Sequence, residues 1–116
     1  MNIFFQTKNL DLYQEAKDAM AHRMEGLGRF FPGEAHAYLD IEKTTSSHHG
    51  EDLYYVSIRI EEPGNQYFTD EYRAGVKDAF DHAYDEMFRM VRSDRNKTRG
   101  LARRAASRMK RIFKRN

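Results

Sequence analysis

The run Tyr54-Tyr55-Val56-Ser57-Ile58-Arg59-Ile60-Glu61-Glu62-Pro63-Gly64-Asn65 carries the clearest structural pattern in the chain. Tyr54, Val56, Ile58 and Ile60 alternate with Tyr55, Ser57, Arg59 and Glu61. That period of two marks a strand with one apolar face. Glu62-Pro63-Gly64-Asn65 then reads as a tight turn, and Gln66 to Thr69 as a short returning strand. Upstream, Ala37, Leu39 and Ile41 alternate with Tyr38, Asp40 and Glu42, which gives another half-buried strand. The segment from Thr44 to Gly50 reads as a polar loop between the two.

Outward from this sheet the period changes. Leu12, Ala16, Met20, Met24, Leu27 and Phe31 recur every three or four residues, as one apolar stripe on a helix. Asp11 is placed to cap it, with Gln14 reaching back. Gly26 and Gly28 weaken its end, and Pro32-Gly33 stop it. Before it, Ile3 and Phe5 suit a short strand. After the sheet, Val76, Phe80, Ala83, Met87 and Met90 mark a second helix, with Asp70 as its expected cap. The predicted order is β-α-β-β-β-α. The predicted fold is α+β, a four-stranded sheet with two helices packed on one face.

The 116 residues suit one domain, and the formal net charge of +2 hides a strong asymmetry. From Met1 to Phe88 there are eight Lys/Arg and seventeen Asp/Glu, a net of −9. From Arg89 to Asn116 there are twelve Lys/Arg and one acid, Asp94, a net of +11. Such a segment repels itself in water and becomes favourable beside a polyanion, where neutralised phosphates release counterions. The predicted division is a domain over 1–95 and a basic C-terminal tail over 96–116, mobile or only loosely helical without a partner. Leu101, Ala105, Met109, Ile112 and Phe113 are spaced so that a partner could induce a helix there.

Other chemistry finds little support. There is no cysteine, so no disulfide and no thiolate. The N-terminus lacks the basic lead and apolar run of a secretory signal. His48-His49 has only Glu51 and Asp52 nearby, short of the converging ligands a metal needs. The acid pairs Asp81/Asp85 and Asp70/Glu71 come without a nucleophile or a pocket pattern, so no acid–base catalysis is expected. Of Tyr54, Tyr55, Tyr67, Tyr72 and Phe68, most are expected in the core. Tyr38 and Tyr55 are placed on the outer sheet face, where bases could stack.

In this order the sequence resembles the ribosome hibernation promoting factor and ribosome-associated translation inhibitor family, in its short type. The resemblance runs from about Met1 to Arg92. It is carried by Lys8-Asn9-Leu10-Asp11-Leu12, Ala16-Lys17, Met20, Arg23-Met24, Leu27 and Arg29-Phe30-Phe31, then by Val76, Phe80-Asp81, Ala83 and Met87. It departs at Gly26, where the family usually has a basic residue, at Lys77, where it usually has Asp, and at Asp85 and Glu86, where basic or amide residues are common, so the globular part is more acidic than the family norm.

The resemblance implies a cytoplasmic, non-enzymatic protein that binds the small ribosomal subunit and its rRNA. It would block the channel where mRNA and tRNA meet in stressed or resting cells. No cofactor, metal, small-molecule substrate or membrane is expected, and the free chain is expected to be a monomer. The RNA-binding residues so implied are Lys17, Arg23 and Arg29 of the first helix and Arg89 of the second. Arg92, Arg95, Lys97 and Arg99 continue the basic run, and Arg103 and Arg104 lie in the tail. Two other readings fit the same charges. One is a generic double-stranded RNA-binding module. The other is a basic amphipathic segment at an anionic membrane surface.

Overall fold

A computed structural model describes the backbone of residues 1–45 and 52–115 and the side chains of residues 1–45 and 52–96. The elements are β1 (Asn2–Lys8), α1 (Gln14–Glu25), a 3-10 turn (Gly28–Phe30), β2 (His36–Thr45), β3 (Asp52–Glu62), β4 (Asn65–Arg73) and α2 (Val76–Arg115). The strands lie in the order β1-β2-β3-β4. β1 pairs parallel with β2 across the α1 connection, and the other two pairs are antiparallel. This is the α+β order read from the sequence.

The alternation in β2 and β3 falls as its period demands. Ala37, Leu39, Ile41, Val56, Ile58 and Ile60 are buried on the helix-covered face. Met20, Met24 and Leu27 descend on them from one side, and Phe80, Ala83, Met87 and Val91 of α2 from the other. Leu12, Val76, Ile3 and Phe5 are partly buried at the margin. Thr69 Oγ1 donates 2.9 Å to the carbonyl of Ala83, so this buried hydroxyl under α2 is satisfied. Pro63 sets the first corner of the β3–β4 turn, and Gly64 takes φ 79° at the second, which is open to glycine without a Cβ clash.

Several boundaries differ from the sequence reading. Asp11 does not cap α1. Tyr13 occupies that position with no side-chain bond, and Gln14 donates forward to Asp18 at 2.9 Å. The chain reaches it through Asn9 at φ 63°, a left-handed turn that asparagine tolerates. The stripe to Phe31 is α1 followed by the 3-10 turn, which keeps Leu27 and Phe31 over the core although α1 ends at Glu25. Thr44 and Thr45 belong to β2, not to a loop.

Asp70 does not cap α2 either. It sits mid-strand in β4 opposite Ser57, because β4 stays paired with β3 as far as Arg73 opposite Tyr54. The same alternation corrects the aromatic assignment. Tyr67 faces the core, but Phe68 and Tyr72 fall on the helix-free face and are exposed.

α2 runs for 40 residues, about 60 Å at the usual rise. The molecule measures 67 Å along its longest axis, so the helix spans nearly all of it.

Candidate nucleic-acid interface

α2 is polarised along its length. Asp78, Asp81, Asp85 and Glu86 occupy its first turns, and Arg89, Arg92 and Arg95 follow. These cations stand near the middle of α2, which runs on to Arg115, so the backbone dipole at its last turn does not account for them. α1 contributes Lys17 and Arg23 and the 3-10 turn contributes Arg29; of these, Arg23 and Arg29 lie against α2.

The structure sorts these cations into two sets. Arg23 is tied into the domain. Its guanidinium pairs with Asp81, lies 3.8 Å from Asp85, and stacks over the rings of Tyr84 at 4.3 Å and Phe80 at 5.5 Å. It bridges α1 to α2. Arg95 is held likewise. One guanidinium nitrogen reaches both carboxylate oxygens of Glu62 at 2.5 Å, and the group lies 4.8 Å from the centre of Phe31. Beside it the Tyr67 hydroxyl donates to Asp94. Burial, and then that bond, raise the Tyr67 pKa, so it stays a phenol. Arg95, Asp94 and Tyr67 together fasten α2 to the β3–β4 hairpin.

The second set points outward. Arg29 is exposed and lies against Phe30 at 4.9 Å and Phe88 at 5.6 Å. Those two rings meet edge to face at 5.8 Å and fix its stem. Arg92 is exposed one turn beyond Phe88, so Arg29 and Arg92 share one flank. Arg89 is exposed on the outer ridge and donates only a long bond, 3.4 Å, to the carbonyl of Asp85. Lys17 is half-buried on α1. Among the described residues none of these four forms an ion pair. Lys97, Arg99, Arg103 and Arg104 lie on the continuing backbone of α2, and their side chains fall outside the described residues.

Sequence reasoning gave Arg23 and Arg95 the same standing as the others, because their partners are 58 and 33 residues away. One signal was available for Arg23. Asp81 and Asp85 stand on the helix that must pack beside it, and Asp85 departs from the family pattern. Lys77 pairs with Asp81 at 3.1 Å and adds to the same cluster.

The remaining chemistry is sparse. A groove of about 440 Å³ between α1 and the start of α2 has an apolar floor, including Leu12, Met20 and Phe80, and no nucleophile. No group of three or more His, Asp or Glu converges among the described residues, and His48-His49 lies outside them. Among the described residues no helix is long and apolar enough to cross a membrane.

Comparison with known proteins places this arrangement. The family pattern described as Sigma 54 modulation protein / S30EA ribosomal protein matches residues 3–99. The N-terminal domain of Thermus thermophilus Protein Y superposes with a TM-score of 0.65 at 23% identity, over 78% of this chain and 96% of that one. A ribosomal subunit interface protein from Coxiella burnetii gives 0.59 at 12% identity, over 83% and 99%. Both show the same fold. No curated protein sequence matches. With its element order, its two helices on one sheet face and a family match across most of its length, the chain belongs to the Sigma 54 modulation protein / S30EA ribosomal protein family.

Proposed function

We propose that this protein binds the small ribosomal subunit and holds it inactive in resting or stressed cells, acting in the cytoplasm without catalysis. The observation that carries this reading is the second set of arginines. Arg29, Arg89 and Arg92 stand exposed on a rigid domain, without carboxylate partners among the described residues, where α2 turns from acidic to basic. Exposed arginines on a fixed scaffold suit phosphate contacts, which set position and supply affinity. The neighbour from Coxiella is a ribosomal subunit interface protein, which agrees in kind.

In this reading the domain over 1–95 is a steric plug in the mRNA and tRNA channel. The segment over 96–116 is a basic arm that adds affinity through residues such as Lys97, Arg99, Arg103 and Arg104. The free chain acts as a monomer. Arg23, implied as an RNA contact by the resemblance, and Arg95, expected as one from the basic run, serve mainly to hold the plug together.

Co-sedimentation with purified small subunits, large subunits and naked RNA duplex tests this. Binding should favour the small subunit. With about six to ten phosphate contacts, affinity should fall on the order of 10³-fold or more as salt rises from about 50 to about 200 mM. Equal binding to naked duplex would make the protein a general double-stranded RNA binder. Indifference to salt would remove the electrostatic account.

A further inference from the structure

The helices cover one face of the sheet and leave the other open. On the open face the register aligns Phe4, Tyr38, Arg59 and Phe68 in a single row across all four strands. Further along β3 and β4 on the same face, Tyr55 and Tyr72 stand side by side with ring centres 4.7 Å apart. Between these bulky rows runs a third, in which Asp40 and Asp70 flank Ser57. Ser57 is itself buried, so Asp40 and Asp70 stand exposed on either side of it in a shallow trough, with the Tyr55 hydroxyl donating to Asp70 at 3.0 Å. At the Asp40 end, Gln6, Lys8, Asp40, Glu42 and Tyr55 line a hollow of about 220 Å³.

Exposed rings on an open sheet invite a partner. Phe4 and Phe68 are each 49% exposed, and Tyr72 is 58% exposed. The sign of the charge says which kind. Asp40, Glu42, Glu61 and Asp70 face Lys8 and Arg59 across this surface, a net of −2. A phosphate backbone would meet the exposed carboxylates of Asp40 and Asp70, so the stacking of bases expected here from Tyr38 and Tyr55 is opposed by charge. A cation is welcomed, and Arg59 shows which one the rings accept. Its guanidinium lies 4.6 Å from the centre of the Tyr38 ring, which in turn stacks on Phe4 at 5.3 Å. A planar guanidinium can lie on a ring and pair with a carboxylate at its edge, which an ammonium does less well.

We propose that this open sheet face docks an arginine-rich segment of a partner protein, with its guanidinium groups stacked on the exposed rings and paired with Asp40 and Asp70. The chemistry is independent of the ribosome. Naming a basic ribosomal protein extension as the partner rests on the proposed function. The two surfaces would then divide the labour, the arginine flank meeting RNA and the sheet meeting protein.

The test uses the full chain and a fluorescein-labelled peptide of alternating arginine and alanine, read by anisotropy, with the lysine–alanine peptide beside it. The arginine peptide should bind more tightly than the lysine peptide. Asp40→Asn with Asp70→Asn should weaken it about fivefold, as the removal of two exposed pairs would. Asp78→Asn with Glu86→Gln, the same charge change on α2, should leave it unaltered. No binding, or equal losses in both double variants, overturns the docking face. Single-stranded RNA binding that is lost when Phe68 and Tyr72 are replaced by alanine overturns the choice of protein over nucleic acid. Self-association that the Asp40/Asp70 variant abolishes overturns the choice of a foreign partner, because a second copy then fills the trough. Small-subunit binding measured on the same samples is a separate outcome. If it is absent while the peptide binds, the ribosomal reading fails and the docking face stands.

Discussion

Replacing Arg95 by alanine should destabilise the domain far more than removing any exposed arginine. The Arg95 side chain is 21% exposed and that of Glu62 16%, so the pair is neither a surface bridge nor a fully buried one. Exposed pairs contribute about 0–1 kcal/mol, and breaking a buried one costs about 3–5 kcal/mol. A value near 2 kcal/mol follows for a pair four-fifths withdrawn from water, since Glu62 would be left there without its partner. Loss of the stacking on Phe31 adds about 0.5–1 kcal/mol. The sum, about 2–3 kcal/mol, should lower Tm by roughly 10–15 °C in a domain of this size. Urea melts of Arg95→Ala, Glu62→Gln and the double variant would measure the coupling. The double variant should be less destabilised than the two single effects added together. A melt of Arg95→Ala close to that of the parent, or a coupling within about 0.5 kcal/mol of zero, would show that Arg95 is a surface cation after all. It would then return to the set offered to RNA.

Arg29→Glu with Arg92→Glu should leave melting nearly unchanged, weaken small-subunit binding and flatten its salt dependence by about one unit of slope for each phosphate no longer neutralised. Arg23→Ala should do the opposite, lowering stability with little change in that slope. Phe80→Ala should cost about 3–5 kcal/mol in urea melts, since the ring is 2% exposed under α2. The Tyr55 phenol is pushed up to about 12, by burial first and then by its bond to Asp70. The folded state therefore holds that proton more tightly than the unfolded chain, whose tyrosine titrates near the ordinary 10.0. The contribution is complete below about pH 10 and is lost as pH rises to about 12. Melting of Tyr55→Phe should decline less than the parent's across that window, and parallel declines would refute the assignment. Cutting the chain after Arg99 should scarcely change melting, because every hydrogen bond described between α2 and the sheet lies at or before Arg95. Small-subunit binding should fall, and unfolding of the cut chain would refute the arm-and-plug division.

The elements that announced themselves in the sequence are those whose pattern is local. The alternation from Tyr54 to Ile60 and the stripe from Val76 to Met87 each fix one face without reference to any other part of the chain. What the sequence concealed was set by distant partners. Asp70 has the look of a helix cap, and carboxylates are poor strand formers. Pairing with β3 nonetheless carries the strand past it. Tyr72 and Phe68 look like core residues, until β4 is seen to continue and its period sends them to the open face. Arg23 and Arg29 sit six residues apart with the same apparent standing. Only the packing of α1 on α2 gives one of them two carboxylates and leaves the other facing water.

The separation of charge along α2 has a kinetic meaning. A net of −9 at one end and +11 at the other, on a body 67 Å long, makes a large permanent dipole. In the field of a polyanion such a body feels a torque before it touches anything. It arrives basic end first, and encounters with the acidic end forward are turned away. Orientation is usually what holds association well below the diffusion limit, and here part of that search is finished in solution. Added salt should therefore slow arrival more than it hastens departure. A molecule built this way reaches its target quickly in dilute salt and already correctly turned.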